Sequence, residues 1–137
     1  MKQTRGIRNN NPVNIRQGES WQGLTHPQAD PEFCTFESMQ YGIRAALVLL
    51  RNYMSGWGGR RAKLNTIHKI IQNWAPTNEN NTEAYIRFVS EKSGIHPYQV
   101  LWFSHDDAVF RILAAMCLME SSYILTREMF DSARSLM

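Results

Sequence analysis

The stretch 106–122, DDAVFRILAAMCLMESS, decides the fold. Val109, Ile112, Leu113, Met116 and Cys117 recur every three or four positions, the spacing that stacks side chains on one face of an α-helix. Asp106 or Asp107 is placed to cap this helix, and the pattern carries it to about Ser122. Its uncharged apolar run, 112–119, falls far short of the roughly 20 residues of a membrane span, so no bilayer crossing is expected. Glu120 occupies the next position of the same stripe, so a carboxylate continues an apolar face.

Working outward, helices dominate the rest of the chain. Ser38 is a plausible cap for a helix with Ile43, Ala46, Leu47, Leu50, Tyr53 and Met54 inward, stopped by the glycine-rich SGWGG. Thr66 opens a second helix with Ile67, Ile70, Ile71 and Trp74 on one face, ended by Pro76. Thr82 is expected to cap a third, with Tyr85, Phe88 and Val89 inward. Pro97 suggests a short turn of helix through Trp102, and a last helix starts near Thr126. The first 37 residues are different. Gly6, Asn9, Asn10, Asn11, Pro12, Gly18, Gly23, Pro27 and Pro31 exclude a long helix and leave room for a small hairpin at most. The expected fold class is mainly α, a helical domain with a small β-hairpin or turn-rich N-terminal region.

Composition agrees with one globular domain, 1–137. The chain has 137 residues, 43% hydrophobic and 20% charged, without repeat or low-complexity tract. The opening MKQTRGIRNNN lacks the apolar core of a secretory signal, so any export is expected to use another route. Cys34 and Cys117 read as separate, reduced thiols, Cys117 being in the apolar helix. The net charge of +3 and pI near 9.1 favour an anionic partner: nucleic acid, a membrane surface or an acidic cell-wall polymer.

Several residues are candidates for chemistry. Desolvation on the apolar face would keep Glu120 protonated near neutral pH, as a general acid for glycosidic cleavage requires; the same position also suits a helix-end glutamate paired with arginine or turned to solvent. The segment 5–16, RGIRNNNPVNIR, alternates amides and guanidiniums, which suits hydrogen bonding to sugars and, slightly better, an Asx-turn loop whose asparagines satisfy their own backbone. Trp21, Trp57, Trp74 and Trp102, with Tyr41 and Tyr85, are flat faces for stacking pyranose rings. Trp74 shares the register of Ile67, Ile70 and Ile71 and reads as core, whereas Trp57, between glycines, is the better surface candidate. Arg60, Arg61 and Lys63 read as a solvated face. The histidines at 26, 68, 96 and 105 have no HExxH spacing, and there is no CxxC, GxGxxG, phosphate loop or GxSxG elbow.

RGIRNNNPVNIR, followed by Trp21-Gln22-Gly23 and FCTFESMQYGIRAALVLLRNY, resembles a family of phage and prophage proteins carrying a GIRNNNPGNIR-type motif. Its members are often labelled structural or virion proteins and are similar to lysozyme-like glucosaminidases and lytic transglycosylases. In those enzymes a helix ending in Glu-Ser or Glu-Gly precedes an asparagine-rich hairpin, a Trp-x-Gly and an F-x-S leading into a helix. Here the second half comes first and AAMCLMESS lies at the other end, so the chain resembles a circular permutation of that order. Permutation suits a domain whose termini are close together. It would set Glu120 beside Asn10, Asn14 and Arg16. Tyr85, in ENNTEAYIRFV, matches the place of an active-site tyrosine in related enzymes. Two departures stand out. Val13 replaces the motif's glycine, which would strain the loop if φ there were positive, and Ser121-Ser122 follow Glu120 where Asn-Gly is common.

The resemblance implies cleavage of peptidoglycan glycan strands with Glu120 as acid and Asn10, Asn14, Arg16, Trp21 and Tyr85 holding substrate or orienting the acid. No second carboxylate is clearly placed among Glu19, Glu37 and Glu79, so a single-acid lytic transglycosylase scheme fits better than the two-carboxylate retaining one. No cofactor or metal is expected. A non-catalytic virion component or wall-binding module is the first rival. A basic nucleic-acid-binding protein ranks third, with affinity falling steeply with salt. Without a signal sequence, a protein made in the bacterial cytoplasm is expected to reach the wall through a holin, a virion or a secretion machine.

Overall fold

A computed structural model describes residues 3–75 and 79–137, without the side chains of residues 79 and 80; Pro76, expected to end a helix, lies outside the described residues. Six helices carry these residues: α1 (Arg5–Arg8), α2 (Met39–Gly59), α3 (Ile67–Trp74), α4 (Glu79–Ser93), α5 (Asp106–Ser121) and α6 (Arg127–Arg134). The protein is mainly α, as its periodicity predicts. Where a hairpin was allowed for, the described residues form no strand but two isolated antiparallel bridges, Arg16 with Phe33 and Leu24 with Phe36. The chain divides into two compact units, Met1–Val48 with Met116–Met137, and Leu49–Ala115.

In the first unit, Thr4 caps the single turn α1, its Oγ1 accepting from the Ile7 N–H. Irregular chain follows, and its backbone needs partners that no sheet supplies. Asparagine side chains provide them. Asn11 Nδ2 donates to the carbonyls of Ile15 and Cys34 at 3.0 and 2.9 Å, while its Oδ1 accepts from the Ile15 N–H. Asn10 Nδ2 donates to the Phe36 carbonyl at 2.9 Å, and Asn9 Nδ2 donates to Asp30 Oδ2. Val13, Phe36, Ile43, Leu47, Met116, Cys117 and Phe130 are buried to within 2%. Burying each such side chain contributes about 1.5–3 kcal/mol. Thr126 caps α6 by accepting from the Met129 N–H, as its sequence predicts.

The second unit packs α3 on α4. Thr66 caps α3 by accepting from the Lys69 N–H, and Ile67, Ile70 and Ile71 are fully buried. Two expectations are corrected here. Helix α4 begins at Glu79, so Thr82 lies inside it, and its hydroxyl instead donates to the Ala75 carbonyl at the end of α3. Residues 97–102 are not helical. The Leu101 N–H donates to the Asn65 carbonyl at 2.8 Å and the Pro97 carbonyl accepts from the His68 N–H at 3.0 Å, so tertiary partners take the donor and the acceptor that a helix would pair. The glycine-rich stop of α2 is left-handed at Gly56, Trp57 and Gly58, with φ of 71°, 51° and 74°.

Candidate functional site

The stripe on α5 is as the sequence predicts: Val109, Ile112, Leu113, Met116 and Cys117 have no exposed surface, and Glu120 follows them half-buried. Asp106 and Asp107 lie in the first turn of the helix, where carboxylates favour the positive end of its dipole. The helix closes through Ser122 in a left-handed conformation (φ 55°), its N–H donating to the Leu118 carbonyl and that of Tyr123 to Cys117. Glu120 leaves its mark on Cys117, whose thiol is pushed far up by burial and further by the glutamate's negative charge. A half-buried carboxylate therefore continues the buried apolar stripe.

The amino-terminal motif reaches this carboxylate. Thr4 Oγ1 donates to the Ser121 carbonyl at 2.6 Å, and a Cβ built on Gly6 would overlap Ser121 Oγ. Only glycine lets α1 approach the end of α5 this closely. Asn14, left-handed at φ 54°, then directs its Nδ2 to Glu120 Oε1 at 3.1 Å and to the Glu120 carbonyl at 3.4 Å. Asn14 Oδ1 and Ser121 Oγ are buried and lack a hydrogen-bond partner among the described residues. Buried polar atoms of this kind suit a water or a ligand hydroxyl.

Asn10, also left-handed at φ 53°, uses its amide on Phe36, and a Cβ on Gly42 would collide with the Asn10 carbonyl, so this residue seats the loop on α2. Arg16 is exposed, pairs with Glu32 at 3.5 Å and lies over the Phe33 ring. Trp21 is half-buried, and its indole N–H is buried without an acceptor among the described residues. Tyr85 belongs to the second unit and is 5% exposed. Trp57 is half-buried, its ring tilted 50° against Tyr53 at 5.0 Å with the Arg61 guanidinium 5.2 Å from it, and Trp74 meets Tyr53 edge-on. Glu19 and Glu37 are exposed, and the Glu79 side chain lies outside the described residues.

Sequence reasoning missed the Arg5–Asp30 pair. Arg5 grips Asp30 with two hydrogen bonds of 2.7 Å, and Asn9 and the backbone N–H groups of Glu32 and Phe33 complete the carboxylate's shell. The Arg5 guanidinium, then the Phe33 N–H, hold Asp30 well below the usual carboxylate range. No periodicity announces such a pair. Val13 resolves another question: its φ is not positive, and the side chain is fully buried, so valine fills core without straining the loop. Cys34 and Cys117 are separate buried thiols. Among the described residues no helix is long and apolar enough to cross a membrane.

No protein-family model matches the chain. It is similar to Protein P5 of Pseudoalteromonas phage PM2, with 40% identity over 121 residues that cover 85% of this chain and 71% of that protein. Identity of that degree over that extent is shared descent, and the chain belongs to the same family of phage proteins as Protein P5.

Proposed function

We propose that this phage protein cleaves the glycan strands of bacterial peptidoglycan, with Glu120 protonating the glycosidic oxygen between N-acetylmuramic acid and N-acetylglucosamine. The observation that carries the reading is the Asn14 hydrogen bond to Glu120 Oε1, made by the amino-terminal motif to a carboxylate at the end of an apolar stripe. Asn14 holds one oxygen of the carboxylate in place. The contacts of Thr4 and Gly6 with Ser121 also support a lysozyme-like fold in permuted order, since they join the two ends of the chain at this carboxylate. With Glu19 and Glu37 exposed, a single-acid lytic transglycosylase using the muramyl 6-hydroxyl as nucleophile suits the site better than a carboxylate pair. Trp21 and Asn14 are the substrate contacts this reading favours. The protein would act at the cell wall, delivered by a holin, a virion or a secretion machine.

A second reading, a non-catalytic virion or wall-binding protein, draws on the asparagines: Asn9, Asn10 and Asn11 all serve the loop's own structure. One experiment separates the two. The protein and its Glu120→Gln variant are incubated with sacculi, and released muropeptides are identified by mass spectrometry. Anhydro-ended products from the unmutated protein alone support the transglycosylase, and reducing ends indicate hydrolysis. Equal release by both removes Glu120 from the mechanism, and binding without release by either establishes the second reading.

A further inference from the structure

The second unit carries a pocket of about 310 Å³ lined by His68 of α3, by Glu83, Arg87, Ser90 and Glu91 of α4, and by Tyr98. That volume lies at the lower end for small-molecule sites. Two features set it apart from ordinary surface. The first is Tyr98, 64% exposed on a segment tied by backbone hydrogen bonds. Its N–H donates to His96 Nδ1, the preceding Pro97 carbonyl accepts the His68 N–H at 3.0 Å, and Leu101 is tied to Asn65. The Tyr98 ring rests against His68 at 4.9 Å and His96 at 5.8 Å, so a flat aromatic surface is presented to solvent instead of collapsing onto the core. The second is the row Glu83, Arg87 and Glu91, which follow one another at four-residue spacing along one face of α4. Despite that spacing, these three side chains form no ion pair with one another among the described residues.

We propose that this pocket is a saccharide-binding subsite, with Tyr98 as the stacking platform and Glu83, Arg87 and Glu91 as hydrogen-bonding groups for ring hydroxyls and acetamido groups. This rests on the reading that the protein handles glycan strands and adds a second place at which it holds them. The ligand class follows from the layout. Acceptor, donor and acceptor alternate over about 12 Å of helix, and Arg87 offsets one of the two carboxylate charges. A neutral polyhydroxyl chain uses such an alternation, whereas a charged peptide calls for one sign concentrated at each end. The carboxylates bind hydroxyl protons and the guanidinium binds oxygen, while the sugar's apolar face covers the tyrosine ring.

The test is titration of the full-length, isotope-labelled protein with chitotetraose, followed by NMR and repeated on Tyr98→Ala and Arg87→Ala. Both side chains are exposed, so both variants should fold, which their amide spectra verify. The expected result is ligand-dependent shifts at His68, Arg87 and Tyr98, with affinity at these signals reduced roughly tenfold in either variant. Shifts confined to the surroundings of Asn14 and Glu120 would overturn the subsite and leave the proposed function standing. Unchanged affinity in both variants would also overturn it, as would a response of the pocket to an Ala-Glu dipeptide but not to the sugar. Absence of any shift overturns the subsite, and the sacculus assay then decides the function independently.

Discussion

Replacing Asn14 by aspartate barely changes volume, yet it puts a second carboxylate where an amide now donates to Glu120. The donor lies 3.1 Å from Glu120 Oε1. Two unit charges at that separation repel by about 5 kcal/mol at an effective dielectric near 20. This is a ceiling, because Glu120 is half-exposed and the pair can rotate apart or share a proton. We expect Asn14→Asp to lose about 1–3 kcal/mol of stability at neutral pH, and Asn14→Ala, which removes the donor and leaves alanine in the left-handed region, a loss of about 1–2 kcal/mol at every pH. The pH dependence has a definite sign. A proton shared by the pair is bound more tightly in the folded than in the unfolded chain, so the folded state carries more protons across the carboxylate range and stability falls as pH rises through it. The pH-dependent part of the difference between Asn14→Asp and Asn14→Ala should therefore be absent below about pH 4 and complete by about pH 7. Urea unfolding followed by tryptophan fluorescence across that range measures it. A difference between the two variants that does not change with pH would refute the contact, whatever the protein's function.

Val13→Gly restores the residue usual in the motif, but it removes a fully buried side chain and loosens the backbone, so we expect a loss of about 2–4 kcal/mol; unchanged urea midpoints would contradict this. Asp30 contributes stability at pH values above the ordinary carboxylate range, because Arg5 depresses its folded-state titration, and this is lost as pH falls below about 4. Asp30→Asn should melt lower at neutral pH and show a shallower decline of Tm on acidification than the unmutated protein, and parallel curves would count against the pairing. Ser122→Gly relieves a left-handed residue at the end of α5 and should raise stability by up to about 1 kcal/mol, with a lowered Tm the opposing result.

The helices were legible because burial imposes a period. In α5 every residue assigned to the stripe before Glu120 is inaccessible, and in α3 the threonine cap and the three isoleucines fall where spacing puts them. What escaped the sequence depends on partners outside the helix's own register. Pro97 has the form of a helix start, but its carbonyl and the Leu101 N–H, which a helix would pair, go to His68 and Asn65. Thr82 has the form of a cap, but its hydroxyl closes the preceding helix. Gly6, placed inside a helical turn, looks costly until Ser121 is found in the space a Cβ would occupy.

The asparagine-rich motif shows why a binding motif and a structural one look alike in sequence. A primary amide offers one acceptor and two donors, the same groups a peptide bond shows to a neighbouring strand, so residues suited to a sugar's acetamido group are suited equally to a loop that lacks a sheet. Burial decides between the two uses. Asn11 is fully buried and bonded on both sides of its amide, Asn9 is 7% exposed and committed to Asp30, and Asn10 is committed to Phe36. Asn14 alone among the four directs its donor to a half-exposed carboxylate while keeping its oxygen without a protein partner among the described residues. Three asparagines thus build the loop that presents the fourth, and a change at Asn9, Asn10 or Asn11 should act on Glu120 chiefly by displacing Asn14. Such variants should lose folding stability along with any activity, whereas Asn14→Ala should lose activity out of proportion to its stability.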